Sequence, residues 1–238
     1  MRAAIIDLDG TLLDTVADLA AAANATRADL GLEPLPLQLL ATFIGKGVEV
    51  LIHRALAGHI DGRVEQETWQ AGMRSFADHY WRENGRQATL YPQVREGLAA
   101  LRALGLRLAC VTNKPQVFTD QLLAATGLDT EFELVLGGDA LERKKPDPLP
   151  LLHVCQRFGV APVEVVAIGD SVNDALAARA AGMPVLAVPY GYNEGRDVGT
   201  LDVDAIVATL LEAAHWVAER QAQRSGNRHV GATSISAH

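Results

Sequence analysis

Five short, almost unbroken apolar runs punctuate this 238-residue chain, at Ala3–Leu8, Arg107–Val111, Glu133–Leu136, Val163–Ile168 and Pro184–Val188. Runs so brief and so free of polar alternation suit strands buried on both faces, as parallel strands between helical layers are. Helix-length patterns separate the later runs, at Gln116–Ala125, Leu149–Phe158 and Asn173–Ala181. This alternation predicts crossover units and a doubly wound, Rossmann-like parallel sheet of the α/β class.

The first crossover breaks the rhythm, because the interval from Leu8 to Arg107 is far too long for a single helix. It carries helical patterns at Ala17–Leu30, Val48–Ala57 and Glu67–Glu83, which predicts an all-helical cap over residues 15–88. The cap is thereby inserted into a core of residues 1–14 and 89–218, which the helix Val94–Ala103 rejoins. Trp69, Phe76, Tyr80 and Trp81 recur at helical spacings and read as a buried stripe rather than a ligand box. An amphipathic closing helix is expected over Leu201–Val217. Residues 219–238, rich in Gln, Ser, Gly and Arg, are expected to be disordered.

Composition removes several function classes. A formal net charge of -8 without a basic stripe suits neither a nucleic-acid nor a membrane surface. The two cysteines, Cys110 and Cys155, allow at most one disulfide, as expected of a reducing cytoplasm, and Cys110 reads as core. Asp7 and Asp9 arrive before any apolar stretch could act as a signal segment, and no run reaches the roughly 20 apolar residues of a membrane span. The seven histidines show no paired spacing, so zinc is not expected. A small-molecule partner remains, with a monomer and a homodimer equally open.

Chemistry concentrates at the ends of the runs. In Asp7-Leu8-Asp9-Gly10-Thr11 the two aspartates, two apart on an extended chain, project together from the carboxyl edge of the sheet, where α/β folds place ligands. Two carboxylates so close require a cation or a shared proton. Chance yields such a pattern in about one window per 10⁵. Thr112 and Asn113 end the second run ahead of Pro115, at a strand-to-helix turn suited to anions. In Arg143-Lys144-Lys145-Pro146-Asp147-Pro148 the prolines stiffen a loop, and Lys145 is the lysine best placed to be held still. Asp170 and Asp174, in Gly169–Asp174, add further carboxylates at a strand end and helix start, a convergence that oxygen-bound Mg²⁺ would relieve.

Taken in order, these four motifs resemble those of the haloacid dehalogenase superfamily, over about residues 1 to 215. The resemblance implies that Asp7 is the nucleophile and forms an aspartyl-phosphate. Asp9 would be the general acid and base, and its presence at that position argues for phosphate rather than dehalogenation chemistry. Thr112 and Asn113 would hold phosphoryl oxygens, and Lys145 would offset charge. Mg²⁺ would lie on Asp7, the Asp9 backbone carbonyl and Asp170, with Asp174 in support. A scaffold that had lost turnover would lack one of these residues, and all are present.

Within the superfamily the chain is most similar to bacterial phosphoglycolate phosphatases, through Phe43-Ile44-Gly45-Lys46-Gly47, Leu51, Arg54-Ala55-Leu56, Leu90-Tyr91-Pro92, Gly137-Gly138-Asp139 and Tyr190-Gly191-Tyr192-Asn193. That similarity implies 2-phosphoglycolate as substrate, with Gly45 and Lys46 at the substrate. The family is more variable at the position of Lys46, often Asn-like. The alternative is a phosphatase or mutase of the same core acting on a sugar phosphate or a nucleotide.

Overall fold

The computed structural model describes residues 1–232. Strand β1 (Ala3–Ile6) leads to a two-residue strand β2 (Leu13–Asp14), then to helices α1 (Val16–Asp29), α2 (Leu37–Ala41), α3 (Val48–Ala57) and α4 (Gln66–Glu83). Strand β3 (Thr89–Leu90) pairs antiparallel with β2, so the chain enters and leaves the helical segment through one short ribbon. After it come α5 (Val94–Ala103), β4 (Arg107–Val111), α6 (Gln116–Thr126), β5 (Leu134–Leu136), α7 (Leu149–Phe158), β6 (Val165–Gly169), α8 (Val172–Ala181), β7 (Val185–Ala187), β8 (Ala205–Ile206) and α9 (Leu210–Ala232).

Six strands form one sheet in the order β5-β4-β1-β6-β7-β8, and every pairing is parallel. The protein is a doubly wound α/β fold. Alternate residues of β1 face opposite layers, as a pleated strand requires. Ala4 and Ile6 pack with Leu98, Leu101 and Leu210 on one side. Ala3 and Ile5 pack with Leu151, Val154 and Ala178 on the other. The helices between β2 and β3 bury their own cluster, with Leu19, Phe43, Ile52, Phe76 and Tyr80 among its members.

The structure departs from the sequence reading at four points. The sixth strand β8 has only two residues at the sheet edge, too short to show as an apolar run. Helix α9 starts at Leu210 rather than Leu201, because Thr209 Oγ1 accepts the Glu212 N–H and Glu212 Oε2 accepts the Ala208 N–H. It then continues through residues expected to be disordered, since Ala218–Arg224 are all strong helix formers and the Arg220 guanidinium lies 4.0 Å over the Trp216 ring. Residues 233–238 of that expected tail lie outside the described residues. In the aromatic stripe Phe76 and Tyr80 are fully buried, whereas Trp81 is 54% exposed, one position round the helix from the buried face.

Candidate active site

The carboxyl ends of β1, β4 and β6 meet beneath the helical segment, and each delivers an acidic or hydroxylic side chain. Asp7 follows β1, and Lys145 reaches it from the loop before α7, with Nζ 2.8 Å from Asp7 Oδ1. The same ammonium lies 2.6 Å from Asp174 Oδ1 and donates to the Val111 carbonyl at 2.7 Å. It thus hydrogen-bonds the Val111 carbonyl and Asp174 and forms an ion pair with Asp7, whose Oδ1 accepts no well-aligned hydrogen bond, and the group is locked between the two carboxylates. Asp174 opens α8 and caps it, its Oδ2 accepting from the Ser171 N–H (3.1 Å) and hydroxyl (2.6 Å).

Asp170, just past β6, accepts from Thr11 Oγ1 (3.1 Å) and from the Tyr192 N–H (2.6 Å). Among the described residues no lysine or arginine pairs with it. Backbone approaches it closely: a Cβ on Gly10 would lie 2.3 Å from Asp170 Oδ2, and one on Gly191 would lie 2.2 Å away. Oxygens of Asp7, Asp170 and Asp174 all lie within 4.8 Å of one another. Burial pushes the Asp7 carboxyl up to about 7, against the pull of Lys145 and with a further push from Asp174. Burial, with Asp7 and Asp174 adding to it, drives Asp170 well above the carboxylate range. One ammonium does not balance three clustered carboxyls. A hard divalent cation with oxygen ligands fits this donor set.

Asp9 turns the other way. Its Oδ1 accepts from Thr15 Oγ1 (2.7 Å) and from Lys114 Nζ (3.0 Å), and that ammonium also donates to the Tyr80 hydroxyl at 2.5 Å. Thr15 sits at the ribbon leading into the helices and Tyr80 on α4, so Asp9 is held from both segments. A small cavity of ≈ 40 Å³ opens between them, lined by Asp7, Asp9, Thr112, Asn113 and Lys114 below and by Leu19, Ile44, Gly45, Gly47, Val48 and Leu51 above.

The remaining expected residues are placed as follows. Thr112 lines the cavity, its Oγ1 accepting the Lys114 N–H (3.2 Å) and keeping its own proton to donate. Asn113 donates both amide hydrogens to backbone, to Gly45 O (3.0 Å) and Lys145 O (2.9 Å), so its side chain braces the loops and offers a phosphoryl oxygen no donor. Gly45 lines the cavity with its carbonyl taken by Asn113 and, at 3.3 Å, by Asn173. Lys46, expected at the substrate, does not line the cavity. It pairs with Glu194 at 2.8 Å, beside Arg54 at 2.6 Å on the same carboxylate oxygen. This placement has an electrostatic cause, since Glu194 is buried and draws both cations.

Sequence reasoning missed Lys114, Tyr80, Thr15 and the task of Tyr192. The hydroxyl of Tyr192 donates to Asp14 Oδ1 (2.6 Å) and accepts the N–H groups of Thr15 (2.7 Å) and Val16 (3.0 Å), while its own N–H holds Asp170. One residue thus joins the acidic cluster to the entry of the helical segment.

Comparison with known proteins agrees with this geometry. A family model described as haloacid dehalogenase-like hydrolase matches residues 1–182. The chain belongs to the haloacid dehalogenase-like hydrolases. It is 53% identical over 217 residues to a phosphoglycolate phosphatase of Nitrosospira multiformis, covering 91% of this chain and 96% of the relative. To the phosphoglycolate phosphatase of Thiobacillus denitrificans it is 50% identical over 218 residues, 91% of this chain and 96% of the relative. A crystal structure described as a predicted phosphoglycolate phosphatase from Haemophilus somnus superposes with a TM-score of 0.85 at 34% identity, covering 91% of this chain and 98% of that one. This haloacid dehalogenase-like hydrolase is accordingly an enzyme with phosphatase activity. Among its described residues no helix is long and apolar enough to cross a membrane.

Proposed function

We propose that the enzyme hydrolyses 2-phosphoglycolate to glycolate and phosphate through an aspartyl-phosphate on Asp7, with Mg²⁺ as cofactor. The observation that carries this reading is the gathering of Asp7, Asp170 and Asp174 around one space with a single locked ammonium. Bound by Asp7, the Asp9 carbonyl and Asp170, with Asp174 in support, Mg²⁺ would neutralise the carboxylates and the incoming phosphoryl oxygens. Asp7 then attacks phosphorus as the ester bond breaks, and Asp9 passes a proton to the departing alkoxide. Asp9 next takes a proton from water, which attacks the aspartyl-phosphate and restores the Asp7 carboxylate. The Thr112 hydroxyl orients phosphoryl oxygens, and the apolar roof of Leu19, Ile44, Val48 and Leu51 excludes bulk water.

Two observations favour a small ester: the narrow cavity and the names of the relatives. Phosphate release should be measured with 2-phosphoglycolate, glucose 6-phosphate and a nucleoside monophosphate, each with and without chelator. The highest kcat/KM is expected for 2-phosphoglycolate, with loss of turnover on chelation. A preference for the hexose or nucleotide ester would reject the substrate and favour the alternative reading.

A further inference from the structure

We infer that Lys114 is the residue that selects an anionic leaving group, taking the carboxylate of the substrate directly. The inference rests on the proposed substrate and deepens it. An ammonium has three N–H donors. The Lys145 ammonium is taken up by hydrogen bonds to Val111 O and Asp174 and by its ion pair with Asp7. In Lys114 one is shared by the two oxygens of Asp9, at 3.0 and 3.3 Å, and one goes to Tyr80. One donor therefore remains, and among the described residues Lys114 is the one cation lining the cavity beside Asp7 and Asp9. The other basic residues of this region have anionic partners: Lys46 and Arg54 hold Glu194, and Lys144 holds Glu49 at 2.6 Å.

Substrate chemistry places the carboxylate at that donor. Asp9 must reach the ester oxygen to protonate it, and in 2-phosphoglycolate a single methylene separates this oxygen from the carboxylate. A cation hydrogen-bonded to Asp9 is consequently within reach of the carboxylate whenever Asp9 is on the ester oxygen. The side chains of the roof, Leu19, Ile44, Val48 and Leu51, carry no donor, and by excluding water they strengthen the interaction. Tyr80 keeps the ammonium aimed from α4, which ties recognition of the leaving group to docking of the helical segment. A substrate lacking the carboxylate would leave the ammonium donor without a partner in a dry cavity, a penalty of the kind that produces strong discrimination.

The test compares 2-phosphoglycolate with 2-hydroxyethyl phosphate, a neutral ester of matching length, in wild type, Lys114→Gln and Lys114→Arg. Wild type is expected to favour the carboxylate ester by about 100-fold in kcat/KM. Lys114→Gln slows both esters, because Asp9 loses its partner, but the ratio between them collapses to below about 5-fold. Lys114→Arg, which keeps the charge, retains most of the ratio. The ratio is internal to each preparation, so partial misfolding does not mimic the result. If the two esters lose activity in parallel in Lys114→Gln, Lys114 acts only by positioning Asp9 and the assignment is overturned while the substrate stands. If wild type itself does not discriminate, the substrate and the assignment fall together.

Discussion

Asp7 and Asp9 leave the same strand two residues apart, yet they enter opposite electrostatic surroundings. Around Asp7 the acids outnumber the cations: Asp170 and Asp174 crowd it, and the Lys145 ammonium is divided between two carboxylates. Around Asp9 there is a matched pair, one carboxylate facing one ammonium with hydroxyls from Thr15 and Tyr80 beside them. The first half lacks positive charge that the proposed metal would supply, whereas the second is complete without one. Under the proposed mechanism the nucleophile on a phosphoryl group needs the former, and the acid and base that returns to its start needs the latter. The same pattern of alternation that sends both side chains to one edge therefore builds two different tools.

The contrast is broken most severely by Asp7→Asn. Without an anionic nucleophile kcat is expected to fall by at least about 10⁴-fold, against about 10² to 10⁴-fold for Asp9→Asn, measured as steady-state phosphate release. Metal-free stability should move in opposite directions. Asp7→Asn removes a repelling carboxyl and leaves Tm unchanged or higher. Asp9→Asn leaves the buried Lys114 without its anion and costs about 2 kcal/mol, below the usual loss for a broken buried pair because the amide oxygen still accepts a hydrogen bond. Destabilisation by Asp7→Asn of the size seen for Asp9→Asn would sink the distinction.

Metal should act on one half alone. Mg²⁺ at about 100 times its Kd adds about 2.7 kcal/mol to stability, or roughly 5 to 10 °C in Tm for a chain of this size. Asp170→Asn should abolish that increment along with turnover, while Lys114→Gln should keep it. An increment that survives Asp170→Asn would place the ion elsewhere.

Acidity sharpens the same division. Burial raises Asp7 from the usual 3.8 to about 7 in the folded protein, so the fold holds more protons than the unfolded chain between those values. Stability from this group is thus fully present below about 3.8 and is lost as pH rises through about 7. In chelator, the difference in Tm between wild type and Asp7→Asn should therefore shift against wild type from pH 5.5 to 7.5. A difference that stays flat over that interval would mean the Asp7 carboxyl is not displaced.

Much of this was legible beforehand, for physical reasons that also mark where legibility stops. Strands such as Ala3–Ile6 and Val165–Gly169 announced themselves because burial on both faces removes every polar residue. Helices α3, α5 and α7 began and ended where their patterns did, since amphipathic periodicity and terminal glycines are local signals. Motif residues at strand ends were visible because topology alone carries them to one edge. Lys114 escaped because its partner Asp9 is far away in sequence and its partner Tyr80 belongs to the inserted helices. A signal existed: a tyrosine inside an apolar stripe needs somewhere for its hydroxyl, and a lysine directly after Asn113 shares the strand end with the acids. The pairing of Lys46 was not legible, because a cation in a cap loop says nothing about Glu194, which the fold brings to it from a distant loop.

Lys46 yields the smallest expected effect. Lys46 is 36% exposed, and Glu194 retains Arg54 at 2.6 Å without it, so Lys46→Ala should cost less than about 1 kcal/mol. Its kcat/KM for 2-phosphoglycolate should stay within about threefold of wild type, because the cavity beside Asp9 is untouched. The measurement is a direct contest between two lysines. A rise in KM above about tenfold, confined to the carboxylate ester and absent with 2-hydroxyethyl phosphate, would move the leaving-group site from Lys114 to Lys46 and require the loop at Gly45–Gly47 to swing inward during turnover.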